Sequence, residues 1–566
     1  MTNPIAKVIG FSASAAALGL AMAGPGRAQT ADLILLHGKI LTLDERSSIR
    51  EAMAVSEGRI AALGRSTEIM ELAGRKTRVV DLRGRTVIPG LIDSHIHAIR
   101  AALSYSVEVN WIGASSLEEA LGRIREAARR AKPGDWIIVA GGWTPEQFQE
   151  KRRPTQGELG AAAGEHPAYV QLFYGWALMT PAAFKALNIA TDADVGPRGK
   201  LDEDADGKKT GGISGDTATI TALFSRLPSP SFEQRVAGTR AFFRELNRLA
   251  LTGVVDPGGF GMAPRDYQAL FKVWQDKALT LRVVYTVFAQ KRGSELEDYR
   301  NLTQLLPMGM GDEMLRFNGI GENVAWGMYN NDNPSEADKA QFYEIAKWAA
   351  ERRMSLNMHW HNDRSVGQLL DIFERVDRES PIKGLRWAVA HLNDASAATL
   401  ERMKALGVGW AMQDAMYFDG ERFQKEKGAE AARRAPPLKT ALRIGVNVGA
   451  GTDAHRVASY NPFVALRWML DGRTVGGVPL RGPEEAPTRE EALRMYTLGS
   501  AWFARDEDKR GSLVVGKLAD LAVLSKDYMK APLEDVGRIE SLLTMVGGRI
   551  VYAAGPYAGF EESPRR

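Results

Sequence analysis

Apolar and polar positions along the chain fall into two kinds of pattern. From Ala31 to Ile88, short alternating runs are broken by turn residues: ADLILLHGKILTL around His37-Gly38, AMAVSEGRIAALG around Glu57-Gly58, and TRVVDLRGRTVIPG around Arg83-Gly84. Alternation with period two, punctuated this way, predicts hairpin-like strand pairs. It returns near the far end in GSLVVGKLADLAVLS and LLTMVGGRIVYAAG, so a small composite β-sandwich is expected from 29–88 and 505–566.

Between these ends, 89–504 alternates amphipathic helical stretches with apolar runs, the pattern of a parallel sheet. The strand candidates are one ending at His97, then Gly253 to Val255, Leu281 to Val287, Arg316 to Ile320, Ser355 to His359, Trp387 to His391, Val408 to Met412 and Val446 to Gly449. Helix starts are marked by Ser335, by Asp394, and by Thr488 with Glu491 as a capping box. Eight strand–helix units predict an α/β protein built as a (β/α)8 TIM-type barrel. The gap between the first two strands is too long for one helix. Residues 105–235 carry a helix of their own, strands at Trp136–Ala140 and Tyr169–Leu172 and a Gly/Asp-rich turn, and are expected to form an inserted lid subdomain. Were some of those strands part of the main sheet, the fold would be doubly wound instead.

Composition narrows this picture. With 45% hydrophobic and 25% charged residues and a formal charge of +4, the chain reads as globular rather than as a nucleic-acid binder. The first 28 residues differ from the rest: Lys7 precedes an apolar Val8–Ala23 run, then Gly24-Pro25-Gly26 and Ala28. That is the form of a secretory signal cleaved after Ala28, with a signal anchor as the alternative. Export to the periplasm or medium, with no membrane segment in the mature chain, is the expectation. Oligomerisation stays open. The chain contains no Cys, so any transition metal must be held by imidazole and carboxylate.

The chemistry centres on TVIPGLIDSHIH, Thr86 to His97. Two histidines separated by one residue on a strand face the same way. His359 lies one residue before the end of LNMHW, His391 ends LRWAVAH, and Asp453 follows VNVGAGT. Each therefore stands where barrel active sites are built, at the C-terminal end of a strand. Neutral imidazoles with a carboxylate suit zinc or a similar divalent ion that activates water, and Asp453 suits proton transfer to a leaving amine.

GKILTLD, VIPGLIDSHIH, LTGVVDPG, HWHNDRS, RWAVAHL, GTDAH, YTLGSAWF and GSLVVGKLADLAVLS, in this order, make the chain resemble the amidohydrolase superfamily, within it the branch with a long insertion after the first strand that includes N-substituted formamide deformylases. The resemblance implies one or two divalent ions, held by His95, His97, His359, His391 and Asp453, with Asp453 and His391 catalytic. It also implies a small-molecule substrate cleaved at a non-peptide amide-like bond. Two positions depart from the family pattern. Its fourth strand usually carries a carboxylated lysine that bridges two metals; here Gly321 occupies that place, and Glu322, one register position away, is the candidate replacement. Where the family often has Asp-Gly-His, this chain has Tyr174-Gly175-Trp176. Trp143, Tyr174, Trp176 and Trp360 are accordingly candidates for an aromatic substrate pocket. His361 and His455 flank the ligands and are candidates for substrate contact or ligand support, whereas His37 and His166 read as structural.

The same machinery also serves an esterase, a lactonase, a cyclic amide hydrolase or a deaminase, and a barrel that binds a ligand without catalysis is the reading outside enzymes.

Overall fold

The computed structural model describes residues 30–562; the expected signal, 1–28, lies outside them. At its centre is an eight-stranded parallel sheet with strands in sequential order. The strands are β1 (Leu91–Asp93), β2 (Leu251–Asp256), β3 (Arg282–Val287), β4 (Leu315–Glu322), β5 (Ser355–Trp360), β6 (Ala388–His391), β7 (Gly409–Gln413) and β8 (Val448–Gly451). The sheet curls until its edges meet: Ser94 N donates to Ala450 O at 3.0 Å and Asp453 N to His95 O at 2.8 Å. Helices pack around the outside, and the fold is a nearly closed (β/α)8 barrel. Gly90 leads into β1 because only glycine fits there; a Cβ would lie 2.2 Å from the Thr252 side chain.

The chain ends form two further sheets. One has the order 59–64, 52–56, 31–36, 73–81; the other runs 549–553, 541–546, 521–524, 86–89, 39–41, 49–50. Leu35, Val80, Val87, Leu521 and Met545 share the core between them. Of the three N-terminal turns, Glu57-Gly58 closes a hairpin, as Gly547-Gly548 does near the C-terminus. At His37-Gly38 and around Arg83-Gly84 the chain crosses from one sheet to the other. Period-two alternation shows that a segment is half-buried but does not say which sheet it joins. The Pro89-Gly90 break separates the last sandwich strand, Thr86–Pro89, from β1.

Residues 137–214 contain a separate five-stranded sheet, ordered 200–203, 209–214, 176–179, 168–172, 137–139. None of its strands joins the barrel sheet, which removes the doubly wound alternative. Helix starts follow the expected chemistry at Ser335, which accepts from Asp338 N, and at Thr488, which accepts from Glu491 N. Asp394 is different. The helix Ala397–Leu406 is capped by Ser396, while Asp394 accepts from Asp363 N at 2.9 Å and so ties two neighbouring loops.

Candidate metal centre

Six side chains, drawn from the C-terminal ends of five strands, converge on one buried volume. Glu322 and His391 are the last residues of β4 and β6, His359 is the penultimate residue of β5, and Asp453 follows β8 by two residues. His95 and His97 do not lie on a strand. β1 ends at Asp93, and the pair occupies the connection to the helix Ala98–Ser104, which starts directly after His97. Hydrogen bonds replace strand alternation in aiming them. Asp93 Oδ1 accepts from His95 N at 2.9 Å, and His97 Nδ1 lies 2.5 Å from Gly258 O. With its Nδ1 proton on that carbonyl, His97 turns Nε2 to the centre.

Around the first half of the centre, His97 Nε2 is 3.1 Å from Asp453 Oδ1 and 3.4 Å from Glu322 Oε1. His95 Nε2 is 3.7 Å from Asp453 Oδ1 and 3.4 Å from Glu322 Oε2. In the second half, His359 Nδ1 and His391 Nε2 lie 2.7 and 3.3 Å from Glu322 Oε2. Glu322 therefore faces inward and touches both halves, although period-two register from Gly321 points it away. At Gly321 the backbone leaves ordinary strand geometry although its pairing with β5 continues: its φ is +133°, and a Cβ there would lie 2.1 Å from Asn357 O.

His391 (φ 68°) and Asp453 (φ 55°) adopt the left-handed region that costs most residues about 1–3 kcal/mol. Their neighbours hold them there. His391 N donates to Gln413 Oε1 at 3.0 Å, Trp410 Nε1 donates to His391 O at 2.8 Å, and Asp453 N bonds His95 O.

The donor set fits a divalent cation. Ligand atoms about 2.1 Å from a tetrahedral ion sit roughly 3.4 Å apart, and the first-half separations cluster around that value. His95 Nε2 is buried with no hydrogen-bond partner among the described residues, a lone pair aimed at the shared volume. Burial lowers the His95 pKa and so favours its neutral, ligating form. Burial alone would raise the carboxyls of Glu322 and Asp453. The imidazoles around them prevail: His359, His391 and His95 hold Glu322 well below the usual carboxylate range, and His97 and His391 hold Asp453 below it. At His97, burial and the Arg100 charge are outweighed by Asp453 and Glu322, which raise the imidazole to about 10. Two carboxylates that attract a proton this strongly attract a metal ion for the same reason.

His361, beside His359 and His391 at ring separations of 4.6 and 5.0 Å, adds a third imidazole to the second half. His455 Nε2 lies 3.0 Å from Glu108 Oε2 and does not reach the centre. His37 is exposed beside Asp81, and His166 Nδ1 lies against Asp135 O.

Three of the four aromatic candidates lie elsewhere. Trp143 stacks on Phe148 and donates to Gln171 O; Trp176 donates to Asp202 and lies under Arg153; both fill the core of the inserted subdomain. Trp360 alternates away from His359 into the layer between β5 and its helix, where it donates to Ser365 Oγ. Tyr174 alone faces the active end, with its ring 5.8 Å from Phe260. The aromatic wall comes from residues the sequence did not single out: Phe260 lies 5.6 Å from Tyr329, which stacks 4.5 Å from His359. Asn330, Asn357, Asp93 and Gln413, which orient the ligands, were equally unmarked. Asp93 and Gln413 at least end β1 and β7, whereas Asn357 lies within β5 and Asn330 eight residues beyond β4.

A barrel with this set at its C-terminal mouth defines a metal-dependent hydrolase, and the comparisons agree. The profile of the amidohydrolase family matches residues 78–552, and the chain belongs to that family. An N-substituted formamide deformylase from Arthrobacter pascens is 26% identical over 93% of this chain and 99% of its own. The Arabidopsis thaliana protein LONG AFTER FAR-RED 3 is 25% identical over 92% of each chain. Among solved structures, an uncharacterized metal-dependent hydrolase from Pyrococcus horikoshii OT3 superposes with a TM-score of 0.64 at 20% identity, covering 89% of this chain and 99% of that one. The chain is a metal-dependent hydrolase acting on carbon–nitrogen bonds other than peptide bonds.

Proposed function

We propose that the protein is an exported enzyme that hydrolyses a non-peptide amide carrying a bulky apolar or aromatic group, with two zinc-like ions sharing Glu322. The observation that carries this reading is the placement of ionised Glu322 among four imidazoles, within reach of both halves of the centre. Divalent ions held there supply Lewis acidity and bring the pKa of water towards neutrality.

The chain's own residues do the rest. His95, His97 and Asp453 would hold one ion, His359 and His391 the other, and Glu322 both. Asp453, ionised and 12% exposed at its side chain, accepts a proton from the attacking water and returns it to the departing amine. His391, whose Nδ1 lies 4.0 Å from Asp453 Oδ2, would steady negative charge on the carbonyl oxygen. Phe260, Tyr329 and Tyr174 offer flat apolar faces to the substrate, in place of the indoles expected from sequence. Export rests on the N-terminal 28 residues. No helix among the described residues is long and apolar enough to cross a membrane.

The test pairs amide and ester analogues of one aromatic acyl group against metal-loaded protein. Amide hydrolysis by wild type, reduced at least ~100-fold in Asp453→Asn, is the expected result. Ester turnover alone would move the protein to the esterase reading. Equal residual rates in wild type and variant on every substrate would leave only a binding role.

A further inference from the structure

Beside the metal centre, between the inserted subdomain and the barrel loops, lies a cavity of about 250 Å³. Two arginines enter it from the same sequence segments that carry the ligands. Arg100 lies three residues beyond His97, and Arg456 three beyond Asp453. Both are buried, at 7% and 6% exposure.

Neither is hydrogen-bonded to a carboxylate, although Asp256 acts on Arg100, and Glu108 on Arg456, through charge at longer range. Arg100 makes no hydrogen bond or ion pair to any described residue; its Nε is buried without a partner, and its nearest ring is Tyr174, 5.9 Å from the guanidinium carbon. Arg456 donates once, to Ala140 O at 3.1 Å, and otherwise packs 3.9 Å over the Phe224 ring. Two carboxylates line the same cavity, and both are engaged: Glu108 by His455 at 3.0 Å, Asp266 by Arg235 at 3.2 Å. Arg265 adds an exposed cation at the rim. A buried guanidinium with no directly bonded carboxylate is costly, and its five fixed donors match a carboxylate. The apolar part of the lining, Tyr174, Phe260, Phe224 and Met262, leads from these arginines to Tyr329 and His359.

We propose that Arg100 and Arg456 form a carboxylate-binding subsite, so that the amide turned over carries an acidic group, as an N-acyl amino acid with an apolar side chain does. The proposal rests on the hydrolase reading above and names its substrate class. One carboxylate, rather than a phosphate dianion, suits a cavity that already contains Glu108.

N-acetylphenylalanine and its primary carboxamide, in both enantiomers, differ only in that charge. Wild type is expected to prefer the acid in kcat/KM, and Arg100→Met to cut the acid-to-carboxamide ratio by about 10- to 100-fold, chiefly through KM. Arg456→Met makes the same test if Arg100→Met fails to fold. Calorimetry on metal-loaded Asp453→Asn gives a readout without turnover. The acid should bind more tightly than the carboxamide, and the preference should vanish when Arg100→Met is added. No preference for the acid, or an unchanged ratio in both arginine variants, overturns the subsite while leaving the hydrolase reading intact. Inorganic phosphate binding in place of the acid overturns the carboxylate class. Charge-selective binding with no hydrolysis of any amide would keep the subsite and sink the hydrolase reading.

Discussion

Thr452 donates its hydroxyl to Asp93 Oδ2 at 2.7 Å, across the seam where the last barrel strand meets the first. Asp93 Oδ1 meanwhile accepts from His95 N and from Thr452 N. One carboxyl thus sets the spacing between the His95–His97 pair and Asp453. Burial pushes its pKa up to about 7, so the donors around it decide how it sits.

Thr452→Val keeps the shape and removes the hydroxyl. It is expected to weaken metal affinity about 10- to 100-fold, as loss of a group supporting metal ligands does, while the fold persists. Chelator competition followed by metal analysis measures this.

The barrel and the sandwich are joined by a buried ion pair. Arg282 on β3 donates Nε and Nη2 to Asp520 Oδ2 and Oδ1 at 2.7 and 3.0 Å. Burial alone would raise the Asp520 carboxyl, but Arg282 and Arg510 hold it below the usual range. Because its folded pKa lies below the unfolded one, its stabilisation is complete above about pH 4 and is lost as pH falls through the depressed value. Asp520→Ala, which leaves the buried Arg282 charge only the half-exposed Glu313 at 3.8 Å, should cost about 3 kcal/mol at neutral pH. The variant's stability should also fall less steeply than that of wild type on the acid side of the unfolding profile.

Gly321→Ala should displace Glu322, since the added Cβ meets the Asn357 carbonyl on the neighbouring strand. The expected outcome is a folded protein with reduced metal content and at least ~10-fold lower turnover. Full occupancy in this variant would show that the glycine does not aim the carboxylate.

Trp176→Phe removes an indole hydrogen bond to Asp202 inside the inserted subdomain. It should lower stability by about 1–3 kcal/mol and leave KM as it is, whereas Tyr329→Ala should raise KM. Kinetics and thermal melts of the two variants separate core from pocket.

The barrel was legible because its strands are short apolar runs and their polar end residues stand out against them. His359, His391 and Asp453 could be read from that contrast alone. The aromatic wall could not. Trp143 and Phe260 are both large and flanked by loops, and only the three-dimensional path of the inserted segment decides which faces the cavity. Glu322 was uncertain for a related reason: alternation predicts side-chain direction along a regular strand, and the left-handed Gly321 breaks that regularity. The arginines of the cavity gave no periodic signal, since their meaning lies in the bonded carboxylates they lack.

The central claim is that His95, His97, Glu322, His359, His391 and Asp453 hold divalent metal together. Metal content of purified, reconstituted protein, measured by elemental mass spectrometry, tests it most directly. About two ions per wild-type chain, falling in a folded His95→Ala/His97→Ala variant and again when His359→Ala is added, is the predicted result. A folded wild type that retains no divalent metal after reconstitution, or histidine variants that match its content, would contradict it.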